Sequence, residues 1–475
     1  MKIKKVYFWV LLGLIISSFV QAQTYDKLWK QVEQAQQKSL PQTVLKLSDA
    51  IYQKGEREKN SGQMLKAYML QMESRGALTP DSIYVGIERL EKWASQTNVP
   101  MDRAILHSIL AEKYAQYAND NQWQLRRQTS IVGEAPSADM REWTLNIFTD
   151  TVRSHIQAAL KDSVLLLATS SRTYIPFVEL GETSRFYHHD MYHLLVSRSL
   201  DALKQINFSD RYVSESPSII KQDIIELYNR MLSTYKASDS KEGYLLAALD
   251  YLAWKHTGVG YLNESYLRQI GPRAAVKPTD YEVALNELKE KYKSEAICAE
   301  VYLALASHAI ENEQPKTALQ LCDEAIRLYP KYDRINALKN LREDILAPHL
   351  TVNTSSSAFP GEDLKLTVSH KNLNGFTVRL YRSVKGINEM PESKMKPYLL
   401  KEQHYTVLRP EDYRAQDTVF TWKAPELGSY AMRIVPDTYT KNNTTRDFNI
   451  TRFKVLTCRM PQEQYQVVAL DRETT

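Results

Sequence analysis

Between Glu362 and Arg382 the chain holds two runs of strict alternation: Leu364, Leu366 and Val368, then Phe376, Val378 and Leu380. Period-two spacing puts each trio on one face of an extended strand, because successive strand side chains point to opposite sides. The intervening Asn372-Leu-Asn-Gly375 is a turn signal, so the sequence predicts an antiparallel hairpin here. Upstream, apolar residues recur at helical spacing; downstream, they recur at strand spacing. The hairpin is therefore expected where a long helical region meets a β-sandwich. The predicted fold class is α+β and multidomain, since 475 residues exceed what one core accommodates.

From Gln23 to about Ala347 helices follow one another through short polar turns. Leu28 to Gln37, Pro41 to Lys54 and Gln63 to Glu73 carry apolar residues at helical spacing, as at Met64, Tyr68, Met69 and Met72. Pro80-Asp-Ser82 and Pro100-Met-Asp102 are start signals, with a side chain expected to accept from free N–H groups. Ile105, Leu106, Ile109, Leu110, Tyr114 and Tyr117 give the next helix a wide apolar face. A further pair is predicted over Lys221 to Tyr235 and Glu242 to His256. Within Ala299 to Pro330, the residues Tyr302, Leu305, Ala306, Ala318, Ala325 and Pro330 fit a tetratricopeptide-type helix pair. Large residues fill the groove between the helices, small ones allow close approach, and the proline ends the second helix. Residues 23–348 thus read as an irregular α-helical repeat arm, a TPR-like solenoid, in preference to a compact helical bundle.

Short strands are expected at Leu350-Thr-Val352, His404 to Leu408, Thr418 to Trp422, Gly428 to Val435 and Phe448 to Thr457. That is the strand count of one immunoglobulin-like sandwich over 349–458. Gln464 to Leu470 reads as one more strand, the first of a following domain over 459–475. A lone strand cannot bury its apolar face or pair its backbone, so the natural protein is expected to continue past Thr475.

Lys2-Ile-Lys-Lys5, an apolar run from Val6 to Val20, and Val20-Gln-Ala22 make a signal peptide over 1–22. No Cys follows the run, so a lipoprotein anchor has no attachment point. No later stretch is apolar enough to cross a bilayer. The mature chain is expected to be exported, periplasmic or cell-envelope associated, without membrane insertion. The net charge of +5 includes Lys2, Lys4 and Lys5. Without them 58 basic residues stand against 56 acidic, leaving +2, which argues against nucleic acid as a partner. Cys298, Cys322 and Cys458 are too few and odd in number for a disulfide framework. Cys298 and Cys322 fall on adjacent predicted helices and read as small buried hydrophobes in preference to a bridge.

The densest chemical cluster is Tyr187-His-His-Asp-Met-Tyr-His193. His189 and His193 are four apart, so a helix would aim both at one metal, with Asp190 as an oxygen ligand. The glutamate of a metalloprotease motif is missing, as is a clear third ligand. Packing and hydrogen bonding at a helix junction is the favoured role; a helical-repeat hydrolase using these residues would carry stoichiometric zinc. Arg126 and Arg127 beside Trp123 lack the wider basic field of a nucleic-acid patch and read as a helix end paired with acids. The chain has neither a phosphate-cradling glycine loop nor a G-x-S-x-G elbow. Scattered carboxylates mark no acid–base pair. No catalytic residue, cofactor or metal ligand is expected.

Phe359-Pro-Gly-Glu-Asp-Leu-Lys-Leu366, Phe376-Thr-Val-Arg-Leu-Tyr381 and Pro425-Glu-Leu-Gly-Ser-Tyr430 resemble bacterial alpha-2-macroglobulins, in the very long form of Bacteroidetes-type bacteria. Val467-Val-Ala-Leu-Asp-Arg-Glu-Thr474 is similar to the opening strand of a following macroglobulin domain, with Thr475 where the family has a Gly. Upstream, Asp139-Met-Arg-Glu-Trp-Thr144, Ser163 to Tyr174, and Tyr192 to Asp201 sit in the family's order. The resemblance covers most of the mature chain and lies in the order of segments and the junction. It implies an exported, non-enzymatic endopeptidase inhibitor that traps proteases after cleavage of a bait segment, in some members through a Cys-x-Glu-Gln thioester. None of the three cysteines is followed by that pattern, and Gln462-Glu-Gln464 lacks the Cys. This chain would then be scaffold, with its helical arm docking envelope or partner proteins. The alternative is a SusD-like or TPR-like helical binding module of the cell envelope, although SusD-like proteins are normally lipoproteins.

Overall fold

The computed structural model describes residues 24–125, 127, 137–181, 190–206, 219–258, 280–409, 411–438, 444–459 and 465–471. The signal-peptide expectation falls outside them. The chain divides into two compact units at 262/263, so the helical region expected over 23–348 spans both.

The first unit opens with α1 (Tyr25–Gln37), α2 (Pro41–Glu58), α3 (Ser61–Leu78), α4 (Ser82–Gln96) and α5 (Pro100–Asp120). Local chemistry fixes their ends. Thr24 Oγ1 accepts from the Lys27 N–H and Asn60 Oδ1 from the Gln63 N–H, while Pro41 and Pro100 sit in first turns where no N–H is needed. The helices overrun their periodic stretches because these caps set the ends. On α1, Leu28, Val32 and Ala35 lie on one buried face, packed with Val44, Ile51 and Ala67. The opposite side of α3, at Leu65 and Tyr68, enters a larger core. That core continues past α6 (Gln122–Leu125) through α7 (Leu145–Ala159), α8 (Ser163–Ala168), α9 (Met191–Ile206), α10 (Ile219–Ala237) and α11 (Lys241–Gly258).

Two expected caps are corrected. Asp81 makes no side-chain cap. Asp102, 5% exposed, instead accepts from Ser61 Oγ at 2.6 Å and Tyr174 Oη at 2.7 Å. A buried carboxylate must be hydrogen-bonded on every side, and here α3 and the 3-10 turn Ser171–Tyr174 supply the donors. The same contact explains Gly62, where a Cβ would lie 2.8 Å from the Ile175 carbonyl oxygen and 2.9 Å from that of Tyr174.

The second unit begins with α12 (Asp280–Tyr292), α13 (Ala299–Glu311), α14 (Pro315–Leu328) and α15 (Ile335–Leu346). Ala306, Ala318 and Ala325 are fully buried, and Tyr302 meets Tyr329 edge-on. Cys298 and Cys322 are free and buried. Burial pushes both thiols up, Cys322 to about 11, so neither is a ready nucleophile.

Next come β1 (His349–Thr354), β2 (Ser357–Ala358), β3 (Asp363–Lys371), β4 (Gly375–Arg382), β5 (Leu399–Thr406), β6 (Gln416–Lys423), β7 (Gly428–Pro436) and β8 (Thr444–Ile450). A three-stranded sheet has the order β1-β3-β6; a five-stranded sheet has the order β2-β8-β7-β4-β5. Among the described strands, only the β2–β8 pair is parallel. Inward residues of both sheets form one cluster, from Leu350, Leu364, Leu366, Val368 and Trp422 to Phe376, Val378, Tyr430, Met432, Ile434 and Phe448.

The expected hairpin is not formed. β3 pairs with β1 and β6, whereas β4 pairs with β5 and β7 in the other sheet. Alternation gives each strand's inward face correctly but carries no information about its neighbours. Crossing between sheets lets two apolar faces cover each other. The turn between them packs inward and caps a helix. Leu373 is fully buried in the shared core. Asn372, left-handed at φ 56°, donates from Nδ2 to the Ile345 and Ala347 carbonyls at 2.8 and 3.3 Å. Lys371 Nζ donates to the Asp344 carbonyl at 2.7 Å. The end of α15 leaves carbonyls without intrahelical partners, and this turn satisfies them. It does join helix to sheets, by a different route from the one expected.

The final strand expected over Phe448 to Thr457 is two strands. β8 ends at Ile450, and β9 (Phe453–Arg459) pairs with β10 (Tyr465–Asp471) in a separate two-stranded sheet. The strand expected to stand alone at Gln464 to Leu470 therefore has a partner. Phe453, Val455, Leu456, Val467 and Val468 of this pair are exposed.

Candidate functional site

The predicted His/Asp cluster resolves into structural roles as far as it is described; His189 lies outside the described residues. Asp190 Oδ1 accepts from the His193 backbone N–H at 2.7 Å, capping α9. His193 Nδ1 is hydrogen-bonded to the Tyr235 hydroxyl on α10. His193 also borders a cavity of about 90 Å³ with Ser197, Asp201, Lys204 and Asp250, too small for an organic substrate. There Tyr228 Oη donates to Asp250 at 2.5 Å and Lys204 lies 3.4 Å from the same carboxylate. Burial, with Asp250 adding to it against Lys204 and Arg198, pushes the Asp201 carboxyl above its ordinary range. Of the proposed basic patch, Arg126 is outside the described residues; Arg127 is exposed and Trp123 is 74% exposed on α6.

A second cluster, missed in the sequence, joins α4, α5 and α7. His107 Nδ1 and His155 Nδ1 are 2.9 Å apart, and His155 Nε2 is 3.1 Å from Glu91 Oε1. Tyr114 donates to the same oxygen at 3.0 Å and stacks on the His155 ring, 5.6 Å between centroids. An ionised Glu91 fixes the proton positions, because an acceptor at one end of the chain of partners sets each tautomer in turn. His155 donates from Nε2, so its neutral Nδ1 accepts from His107 Nδ1–H. One added proton is accommodated if His107 moves its own proton to Nε2. A second would set two N–H groups facing each other.

The electrostatics follow this order. Burial, then the His155 charge and Arg103, holds His107 below its ordinary value, with Glu91 opposing. Burial pushes Glu91 up, but the hydrogen bond and charge of His155, with Tyr114 and His107, outweigh it and hold the carboxyl down. His155 spends one ring nitrogen on each neighbour, so three donors do not converge on one point as a metal requires. The sequence signal is a histidine among apolar residues of its own helical face: His107 with Ala104, Leu110 and Ala111, and His155 with Val152 and Ala159.

A groove of about 760 Å³ lies between α1 and α3, lined also by Ile83, Lys113, Gln116 and Glu179. Trp29 forms part of its wall, held by Nε1–H donation to Gln63 Oε1 at 2.7 Å. Lys66 lies over that indole, 5.1 Å from the ring centroid, and bonds Glu179 at 2.9 Å. The described residues lining the groove include no nucleophile–base pair.

No protein-family model matches the chain, and neither does any curated protein. Among solved structures, one similarity is to the CARDB domain of a Pyrococcus furiosus protein in complex with di-metal ions. It has 17% identity over 22% of this chain and 94% of that one, with a TM-score of 0.15. Another is to Pseudomonas fluorescens alkylpurine DNA glycosylase AlkC bound to DNA containing an abasic site analog. It has 10% identity over 78% of this chain and 98% of that one, with a TM-score of 0.17. Likenesses this slight bear on neither fold nor chemistry.

Proposed function

We propose that this chain is the N-terminal scaffold of an exported alpha-2-macroglobulin-like endopeptidase inhibitor, with no catalytic residue of its own. The observation that carries the reading is the strand order. The orders β1-β3-β6 and β8-β7-β4-β5 support an immunoglobulin-like sandwich, read as strands A, B and E and strands G, F, C and C′. β2, parallel to β8, corresponds to a split end of strand A. At the start of β7, Tyr430 Oη donates to the Glu426 carbonyl at 2.7 Å, a tyrosine corner. That corner falls within Pro425-Glu-Leu-Gly-Ser-Tyr430, one of the segments that resemble the family. The α13–α14 pair, with its buried alanines, supports a TPR-like repeat in the helical region.

Limited proteolysis of the natural, full-length protein tests this. A trap gives one early cut outside residues 24–471, followed by faster migration on a native gel. Cuts spread through the chain with no change in migration contradict the reading. The second reading, a helical binding module of the envelope, is favoured by the groove beside Trp29 and survives that outcome.

A further inference from the structure

We infer that the groove between α1 and α3 docks an amphipathic helix that carries basic side chains beside its apolar ones. The inference deepens the docking role proposed for the helical region, and its test involves no protease. Both walls present residues at helical spacing: Trp29, Glu33 and Gln36 on α1, and Lys66, Met69, Leu70 and Glu73 on α3. From residue 29 to 36 the wall runs about 10 Å, two turns of helix at 1.5 Å per residue. Helical walls have their backbone groups bonded internally, so an added strand would find nothing to pair with. The partner must present side chains, and a helix seats its ridge between two others. Met69 and Met72, half-buried in the lining, supply unbranched, adaptable contacts.

Charge sets the partner's sign. The groove carries Glu33, Glu73 and Glu179 against Lys66 and Lys113. Lys66 is engaged by Glu179, while Lys113 Nζ donates to the neutral Gln116 and keeps its charge, so three carboxylates against two ammonium groups leave the groove negative by one. Among the described residues, Glu33 and Glu73 form no ion pair, and both are exposed at the groove's edge. Two such carboxylates flanking an apolar floor match lysine or arginine on either side of an apolar stripe.

The test uses the full chain and three labelled 14-residue peptides, followed by fluorescence anisotropy at 0.15 M salt. One has leucine at helical spacing with lysine elsewhere. The second replaces each lysine by glutamate, and the third shuffles the leucine–lysine composition. The first is expected to bind at least tenfold more tightly than either control. Glu33→Lys with Glu73→Lys is expected to reduce that affinity tenfold or more. Asp49→Lys with Glu56→Lys, exposed on α2 outside the groove, is expected to change it less than threefold. Equal binding of all three peptides would show binding without regard to charge or pattern, and equal loss in both double variants would reduce the effect to bulk charge; either overturns the assignment. So would a dimer of the free chain, seen by light scattering, that the peptide dissociates, since a second copy would then be the occupant.

Discussion

In the helical unit, buried and half-buried polar groups tie helices together: Asp102 between Ser61 and Tyr174, and His155 between His107 and Glu91. Between the two sheets the interior is a continuous apolar cluster, and its buried polar residues, His370 and Asn372, stand at the ends of strands. The difference follows from backbone geometry. A strand exposes one face and buries the other, so alternation alone separates the two environments. A helix wrapped by several neighbours buries most of its circumference, and some polar side chains are carried inside, where each needs a partner.

Deleting from the apolar side of this contrast is expected to cost most. Phe376→Ala, fully buried and packed against Tyr405 and Phe420, should lose about 3–5 kcal/mol in denaturant unfolding. A loss under about 1 kcal/mol would mean that the sheets are not held by that core. Next is Asp102→Ala, which strands two donors and should cost about 2–3 kcal/mol. Adding Tyr174→Phe should recover part of it; strict additivity in the double-mutant cycle would show that the network is not coupled. Tyr430→Phe removes one hydrogen bond at the corner and should cost about 1 kcal/mol, checked by the same denaturation midpoint.

A pH series sharpens the comparison by direction alone. His107 sits below its ordinary pKa, so the unfolded chain binds more protons than the folded one as pH falls beneath about 6.5. Its contribution is present at neutral pH and declines on acidification. Glu91, also held down, loses its contribution lower still, through the carboxylate range. His370 in the sheets titrates with the same sign, so the informative quantity is the difference between wild type and His107→Gln. Thermal midpoints of the variant should fall less steeply between pH 7.5 and 5; parallel curves would remove His107 from the acid response.

This contrast also explains what is legible in the chain. The inward faces of β3, β4 and β7 can be read directly, because period two survives whichever strands pair. Their partners cannot, so the turn signal at Asn372 predicts a hairpin where the chain in fact crosses between sheets and caps α15. Helix existence is legible from apolar spacing, helix ends less so, since caps lie outside the periodic stretch. His189, Asp190 and His193 stand out because they are neighbours in sequence. The described members are a cap and a hydrogen-bond partner. His107 and His155 lie 48 residues apart and Asp102 and Tyr174 lie 72 apart. Only a fold brings such residues together.

The proposed scaffold role is tested most directly by size-selective inhibition. The natural, full-length protein is mixed in excess with an endopeptidase, and hydrolysis of a short peptide and of a large protein substrate is followed in parallel. A trap leaves the enzyme's active site open but encloses it, so peptide hydrolysis should persist while protein hydrolysis falls at least tenfold. Undiminished hydrolysis of both substrates would contradict the inhibitor reading.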